Sequence, residues 1–255
     1  MTQTFQSNNG SVVEFSLEQE TSKRCIIRPF CQNDAAKIQN ICFSQYRSTS
    51  ISGVSYYIVS HIDDLIFLCI LAFSLMNVKK ALIAAILFIM YLFCKSRFEV
   101  ENYIVKHCVD LKNIESYYKK KSNNNFWVAE VICDDIHKRE IVGCIGLVSQ
   151  DKVFGKIVRL TVNRRYHRMR IGSHLLKHAE QYAKTLNYEV LYMYTNSLNP
   201  SHASFVTAHG YQLVNTIPRG LMRGDLFMWK RVLKQSMGAT SDDEHSSITK
   251  LNILD

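Results

Sequence analysis

Arg165–Leu176, RYHRMRIGSHLL, decides how this chain is read. Four cationic or potentially cationic side chains, Arg165, His167, Arg168 and Arg170, crowd into one short run, and Gly172 and an amphipathic stretch follow at once. From Ile171 the apolar residues Leu175, Leu176, Ala179, Ala183 and Leu186 keep to one stripe, which predicts a helix of about sixteen residues. A helix start concentrates unpaired N–H groups and the positive end of the macrodipole, so a cationic turn leading into one suits a phosphate or pyrophosphate. A solvated basic face would share that composition, so the flanking elements decide.

Lys156–Val162 (KIVRLTV) reads as a strand running into the cationic turn, and Glu189–Tyr194 (EVLYMY) as a strand buried on both faces. Asn199 is a candidate N-cap with Pro200 in the first helical position, and Gly210 stands where that short helix needs a left-handed residue to stop. Tyr211–Val214 and Asp225–Arg231 supply two last strands. Upstream, FWVAEVI (126–132) and IVGCIGLV (141–148) flank a turn-rich segment and predict an antiparallel hairpin. Arg24–Phe30 reads as a strand. Asn33 or Asp34 then caps a helix carrying Ala36, Ile38, Ile41, Cys42 and Tyr46, and Asp110–Lys121 reads as a further helix.

The 255 residues, 47% of them apolar, bury a core, and the formal charge of +9 favours anionic partners. The eight cysteines are widely spaced, with no C-x-x-C pair and no clustered Cys/His set, so no metal site is expected and reduced thiols are favoured over a disulfide framework. The first twenty residues are polar and carry no secretory signal. Residues 1–22 and 233–255 read as disordered termini around one domain over 23–232.

That domain is interrupted over 62–96. Leu65–Cys94 reads LIFLCILAFSLMNVKKALIAAILFIMYLFC, broken by Asn77, Lys79 and Lys80. Each arm holds about 12 to 14 residues, roughly 18 to 21 Å of helix against a hydrocarbon core of about 30 Å. Neither arm shows the polar face of a soluble core helix, and one span would bury two lysines near the bilayer centre. A membrane hairpin that returns to its starting side satisfies both constraints. Its lipid contacts fall on residues 65–94, and the expected setting is a membrane, that of the endoplasmic reticulum, with the folded part in the cytosol.

The order strand, basic turn, helix, strand, short helix ending in Gly-aromatic resembles the GCN5-related N-acetyltransferase (GNAT) fold. His167, Arg170 and Gly172 take the three defined places of its Q/R-x-x-G-x-G/A motif. FWVAE at Phe126–Glu130 and the apolar insertion are similar to the camello-like, membrane-attached N-acetyltransferase 8 family. The resemblance implies an α/β fold with a mixed, mostly antiparallel twisted sheet flanked by helices, plus the inserted hairpin. It implies acetyl-CoA as co-substrate, with Leu160, Thr161 and Val162 holding the pantetheine arm and acetyl carbonyl through backbone groups. His167, Arg168, Met169, Arg170, Ile171, Gly172 and Ser173 would cradle the pyrophosphate, and Asn199 would complete the binding set.

Two departures stand out. Arg170 replaces the motif's first glycine, and Val206 stands where many relatives place a tyrosine that returns a proton to the CoA thiolate. Glu130 and His209 are the candidates to deprotonate the acceptor amine, and Tyr211, with Tyr192 and Tyr194, to replace the missing acid. The expected activity is acetyl transfer to a primary amine, whether a small amine (an amino acid or cysteine conjugate) or a protein lysine. A non-catalytic CoA-binding or protein-interaction descendant is the alternative. Nucleic acid is disfavoured because the basic run lacks interleaved aromatics.

Overall fold

The computed structural model describes residues 3–7, 10–16, 23–75, 77–119, 123–133, 138–219 and 223–233. The expected C-terminal tail lies, from residue 234 onward, outside the described residues. Nine strands form one sheet: β1 (Gln3–Ser7), β2 (Gly10–Ser16), β3 (Lys23–Pro29), β4 (Asn125–Cys133), β5 (Lys138–Ser149), β6 (Phe154–Val162), β7 (Val190–Asn196), β8 (Gln212–Ile217) and β9 (Leu226–Val232). Their spatial order is β1-β2-β3-β4-β5-β6-β7-β9-β8. Among the described strands, only β6 and β7 pair in parallel. A parallel pair needs a crossover, and the helix predicted after the cationic turn, α6 (Ile171–Thr185), supplies it.

Alternation along the strands builds two cores. Trp127, Ala129 and Val131 of β4 join Val142, Ile145 and Leu147 of β5 under Leu175, Leu176, Ala179 and Ala183 of α6. Phe126 and Val128 point the other way with Ile141 and Cys144, and pack on Ile38 and Cys42 of α1 (Ala35–Ser60). Because both faces are covered, the central strands read as continuous apolar runs. Each fully buried Leu or Ile contributes roughly 1.5–3 kcal/mol.

The N-terminus corrects an expectation. Gln3–Ser7 and Gly10–Ser16, read as disordered, pair with each other and add β1 and β2 beside β3. The alternation of GSVVEFS carries it: Phe15 is buried and its ring stacks on His174 of α6 at 3.7 Å. The start of α1 also differs. Asp34 stands in the N-cap position, but its side chain makes no capping bond; a 3-10 turn over Gln32–Asp34 precedes the helix, and the Asp34 carboxylate turns back to accept from Cys31 N–H at 2.9 Å. The helix expected at 110–121 is two short pieces, α4 (Val109–Lys112) and α5 (Ile114–Lys119).

The apolar insertion is a helical hairpin with unequal arms. α2 (Ile62–Leu75) leaves α1 at a bend of 75°, and α3 (Val78–His107) runs thirty residues back to the domain. The second arm is therefore not a short one: about 45 Å of helix at 1.5 Å per residue, polar in its last third. The lower parts of α1 and α3 pack closely because Ser50, Gly53 and Ser96 are small and buried, and the Ser96 hydroxyl donates to the Ser50 carbonyl at 2.8 Å.

Candidate active site

The sheet opens at its centre. β6 and β7 pair only from Phe154↔Val190 to Ile157↔Met193, yet β6 continues to Val162 and β7 to Asn196. The two halves of the sheet part there as a wedge. Leu160, Thr161 and Val162 form the β6 wall beyond the last pair.

The turn leaving β6 leads into α6. The Asn163 side chain accepts from Arg165 N–H at 3.1 Å and starts a 3-10 turn, and the Tyr166 hydroxyl donates to Glu140 at 3.0 Å. His167 and Arg168 are exposed, Met169 packs on the core, and Arg170 is exposed in the N-cap position. Arg168 (φ 67°) and Arg170 (φ 57°) both occupy the left-handed region, which costs a residue with a Cβ roughly 1–2 kcal/mol. That conformation is why a glycine belongs at position 170. Arg170 makes no capping hydrogen bond, so α6 begins with its first-turn N–H groups, Ile171 to Ser173, lacking a side-chain cap.

Gly172 is not required by the chain itself. A Cβ there would sit 3.6 Å from the Phe205 ring and 3.7 Å from Val162, both ordinary contacts. The glycine leaves open the face of the first turn where an anion would approach the backbone. One expected acceptor is already engaged: the His167 ring donates from Nε2 to the Val162 carbonyl at 2.9 Å. Asn199 caps α7 (Pro200–Ala208), its side chain accepting from His202 N–H at 3.3 Å, and Gly210 ends that helix at φ 80°.

The three candidate catalytic side chains are each engaged in an internal hydrogen bond. Glu130 accepts from Arg28 Nε at 2.9 Å on the α1 face, and the same guanidinium clasps Asp34 with 2.7 and 3.0 Å bonds. Burial opposes ionisation of Asp34, but the Arg28 and Cys31 hydrogen bonds outweigh it and hold its carboxyl below the usual range. Burial and then the Glu130 charge push the nearby Cys25 thiol up to about 12. His209 donates from Nδ1 to the Phe205 carbonyl at 2.8 Å, closing α7. Tyr211 is buried, and its hydroxyl donates to Glu180 at 3.0 Å; burial first, and then Glu180, raise its pKa, which disfavours it as an acid. Val206 is fully buried in the core. Tyr192 is likewise buried, and Tyr194 lies beneath the Lys156 ammonium at 4.4 Å.

One group was missed by sequence reasoning. Arg159 of β6 sits at φ 56°, and its guanidinium reaches Asp110, Tyr46, Cys108 and the His107 carbonyl. The available signal is a cation, Arg159, set between apolar neighbours in the middle of the strand KIVRLTV.

Residues 90–211 match the family model described as "Acetyltransferase (GNAT) family". A relative from Xenopus tropicalis, "Probable N-acetyltransferase 14", is 33% identical over 105 residues, 41% of this chain, and the chain spans about half (48%) of that relative's length. Among solved structures, a GNAT-family acetyltransferase from Staphylococcus aureus Mu50 is similar over 82% of this chain and 99% of its own, at 19% identity and a TM-score of 0.48. One from Elizabethkingia anophelis with acetyl-CoA bound covers 48% of this chain and 82% of its own, at 18% identity and a TM-score of 0.39. From β6 through α7, the region of the open wedge and the uncapped helix lies inside the segment, residues 90–211, that is similar to the GNAT acetyltransferase family.

Proposed function

We propose that this chain is an acetyl-CoA-dependent N-acetyltransferase attached to a membrane by α2 and the apolar part of α3. The observation that carries the reading is the wedge between β6 and β7 with the uncapped, cation-flanked start of α6 at its mouth. These residues fit the ligand. The N–H groups of Ile171, Gly172 and Ser173 and the α6 dipole suit the pyrophosphate, with Arg168 and Arg170 adding positive charge, and the bare face at Gly172 leaves backbone within reach. The backbone of Leu160–Val162 suits the amide-rich pantetheine arm. The Val162 carbonyl keeps one lone pair while His167 holds the other.

Acetyl-CoA supplies an acetyl group activated as a thioester, and the acceptor is a primary amine of an amino acid, a cysteine conjugate or a protein lysine. The chain's contribution is to hold the two reactants in line within a wedge walled by β6 and β7. Membrane attachment is supported by the insertion. The apolar part of α3 is mostly exposed, and α2 and α3 expose Phe67 (68%), Leu75 (77%) and Ile86 (66%). Lys95 and Arg97 follow the apolar stretch on the domain side, the flank expected to face the cytosol.

The test follows free CoA thiol released by the purified full chain in detergent, across aspartate, cysteine conjugates and lysine peptides. Amine-dependent release is expected. Release with no amine in the panel above background overturns the transfer reading. Flotation of the chain with liposomes tests the attachment, and recovery of the whole protein in the unbound fraction overturns it. A second reading, CoA binding without turnover, is favoured by the engagement of Glu130, His209 and Tyr211 in internal hydrogen bonds.

A further inference from the structure

β6 carries a β-bulge midway along the wedge. On β5, Cys144 pairs with Thr161 and Gly146 with Val158, so Arg159 and Leu160 together oppose the single residue Ile145. Such a bulge holds its first residue in the left-handed region, and glycine usually serves there. Here an arginine adopts φ 56°. A strained residue with a Cβ persists only where its surroundings over-determine it, and those of Arg159 do. Nε and Nη2 meet the two oxygens of Asp110 on α4 at 2.9 and 2.6 Å, Nη1 donates to the Tyr46 hydroxyl on α1 at 2.6 Å, and Nη2 donates to the His107 carbonyl, in the last turn of α3, at 2.8 Å. Tyr118 adds a bond to Asp110 at 2.9 Å, and both members of the ion pair are almost fully buried.

The main chain is fixed by the same cluster. The Cys144 thiol donates to the Arg159 carbonyl at 3.3 Å. A trans peptide sets N–H opposite C=O, so pinning that carbonyl directs the Leu160 N–H away from Cys144, at a level where β6 no longer pairs with β7. We propose that Arg159 is a positioning residue: its anchorage to Asp110, Tyr46 and the end of α3 sets the β6 bulge that presents the Leu160 N–H to the acyl end of the bound thioester. This rests on the acetyltransferase reading. It also joins the acyl end of the wedge to α1 and α3, the two helices that carry the apolar hairpin.

The test compares two ligands on the full chain in detergent: acetyl-CoA, which reaches the bulge, and adenosine 3′,5′-bisphosphate, which carries only the phosphorylated end held at the start of α6. Arg159→Met leaves Asp110 buried without its partner, so Arg159→Met/Asp110→Leu accompanies it as an apolar replacement of the whole pair. In the double variant, acetyl-CoA affinity is expected to fall about tenfold or more, the worth of one or two hydrogen bonds, while bisphosphate affinity stays within about twofold. Equal loss of both ligands would mark Arg159 as a general structural support and overturn the proposal, as would unchanged acetyl-CoA affinity. Failure of the unmutated chain to bind acetyl-CoA is a separate result and overturns the acetyltransferase reading itself.

Discussion

Arg159 and Arg170 lie on either side of the end of β6, and both hold the same left-handed backbone conformation. Their side chains differ in every other respect. Arg159 is buried against Asp110 and bonded to three helices, whereas Arg170 stands exposed at the start of α6 without capping it. Comparable backbone strain is therefore supported in two ways. At the bulge the protein's own interior compensates it, and at the turn the conformation opens a row of N–H groups to an outside anion. The first site is held by the fold, and on the proposed function the second receives a ligand.

Breaking the bulge side should have the largest effect. Asp110→Ala leaves the Arg159 guanidinium buried and unpaired, a change expected to cost about 3–5 kcal/mol in denaturant unfolding. Arg159→Met/Asp110→Leu should recover most of that loss, because an apolar pair removes the uncompensated charge. A double variant as unstable as Asp110→Ala would mean the pair is not an isolated electrostatic unit.

The α6 side responds to acid instead. His178 is buried against Trp127, its Nε2 has no hydrogen-bond partner among the described residues, and burial lowers its pKa to about 4. An unfolded histidine takes up its proton near pH 6.5, so the native state loses stability as the pH falls from about 6.5 to about 4, by roughly 3 kcal/mol at 1.36 kcal/mol per unit. Above pH 6.5 this contribution is fully present. Equilibrium unfolding of His178→Phe across that range should lose the acid limb, and an unchanged profile would assign it to other groups.

How much of this was legible follows the same division. The α6 turn could be read because its signals are local: a cationic run, a glycine, an amphipathic stripe and the strand before it fall within about thirty residues. The bulge could not. Arg159 meets Asp110 across 49 positions and Tyr46 across 113, and no periodicity announces partners so distant. FWVAE points to Glu130 by position, but its partner Arg28 lies 102 residues away, and only the folded sheet shows the carboxylate bound to a guanidinium. The N-terminal hairpin was missed for a related reason: a short edge strand of mostly polar composition becomes a strand only when β3 offers it an edge. The length of α3 was hidden because its apolar character ends at Cys94 while the helix, now packed on α1, continues to His107.

The smallest change in structure gives the most direct test. Gly172→Ala adds one methyl group where the chain has room for it and where alanine is the better helix former, so stability should stay level or rise by up to about 1 kcal/mol. The decisive measurement is the equilibrium titration of acetyl-CoA into the unmutated chain and into Gly172→Ala. Saturable binding to the first, weakened about tenfold or more in the second without loss of stability, is the predicted result, since a Cβ at that point keeps phosphate from the backbone N–H groups. Equal affinity for the two chains would show that the start of α6 is not where acetyl-CoA is held.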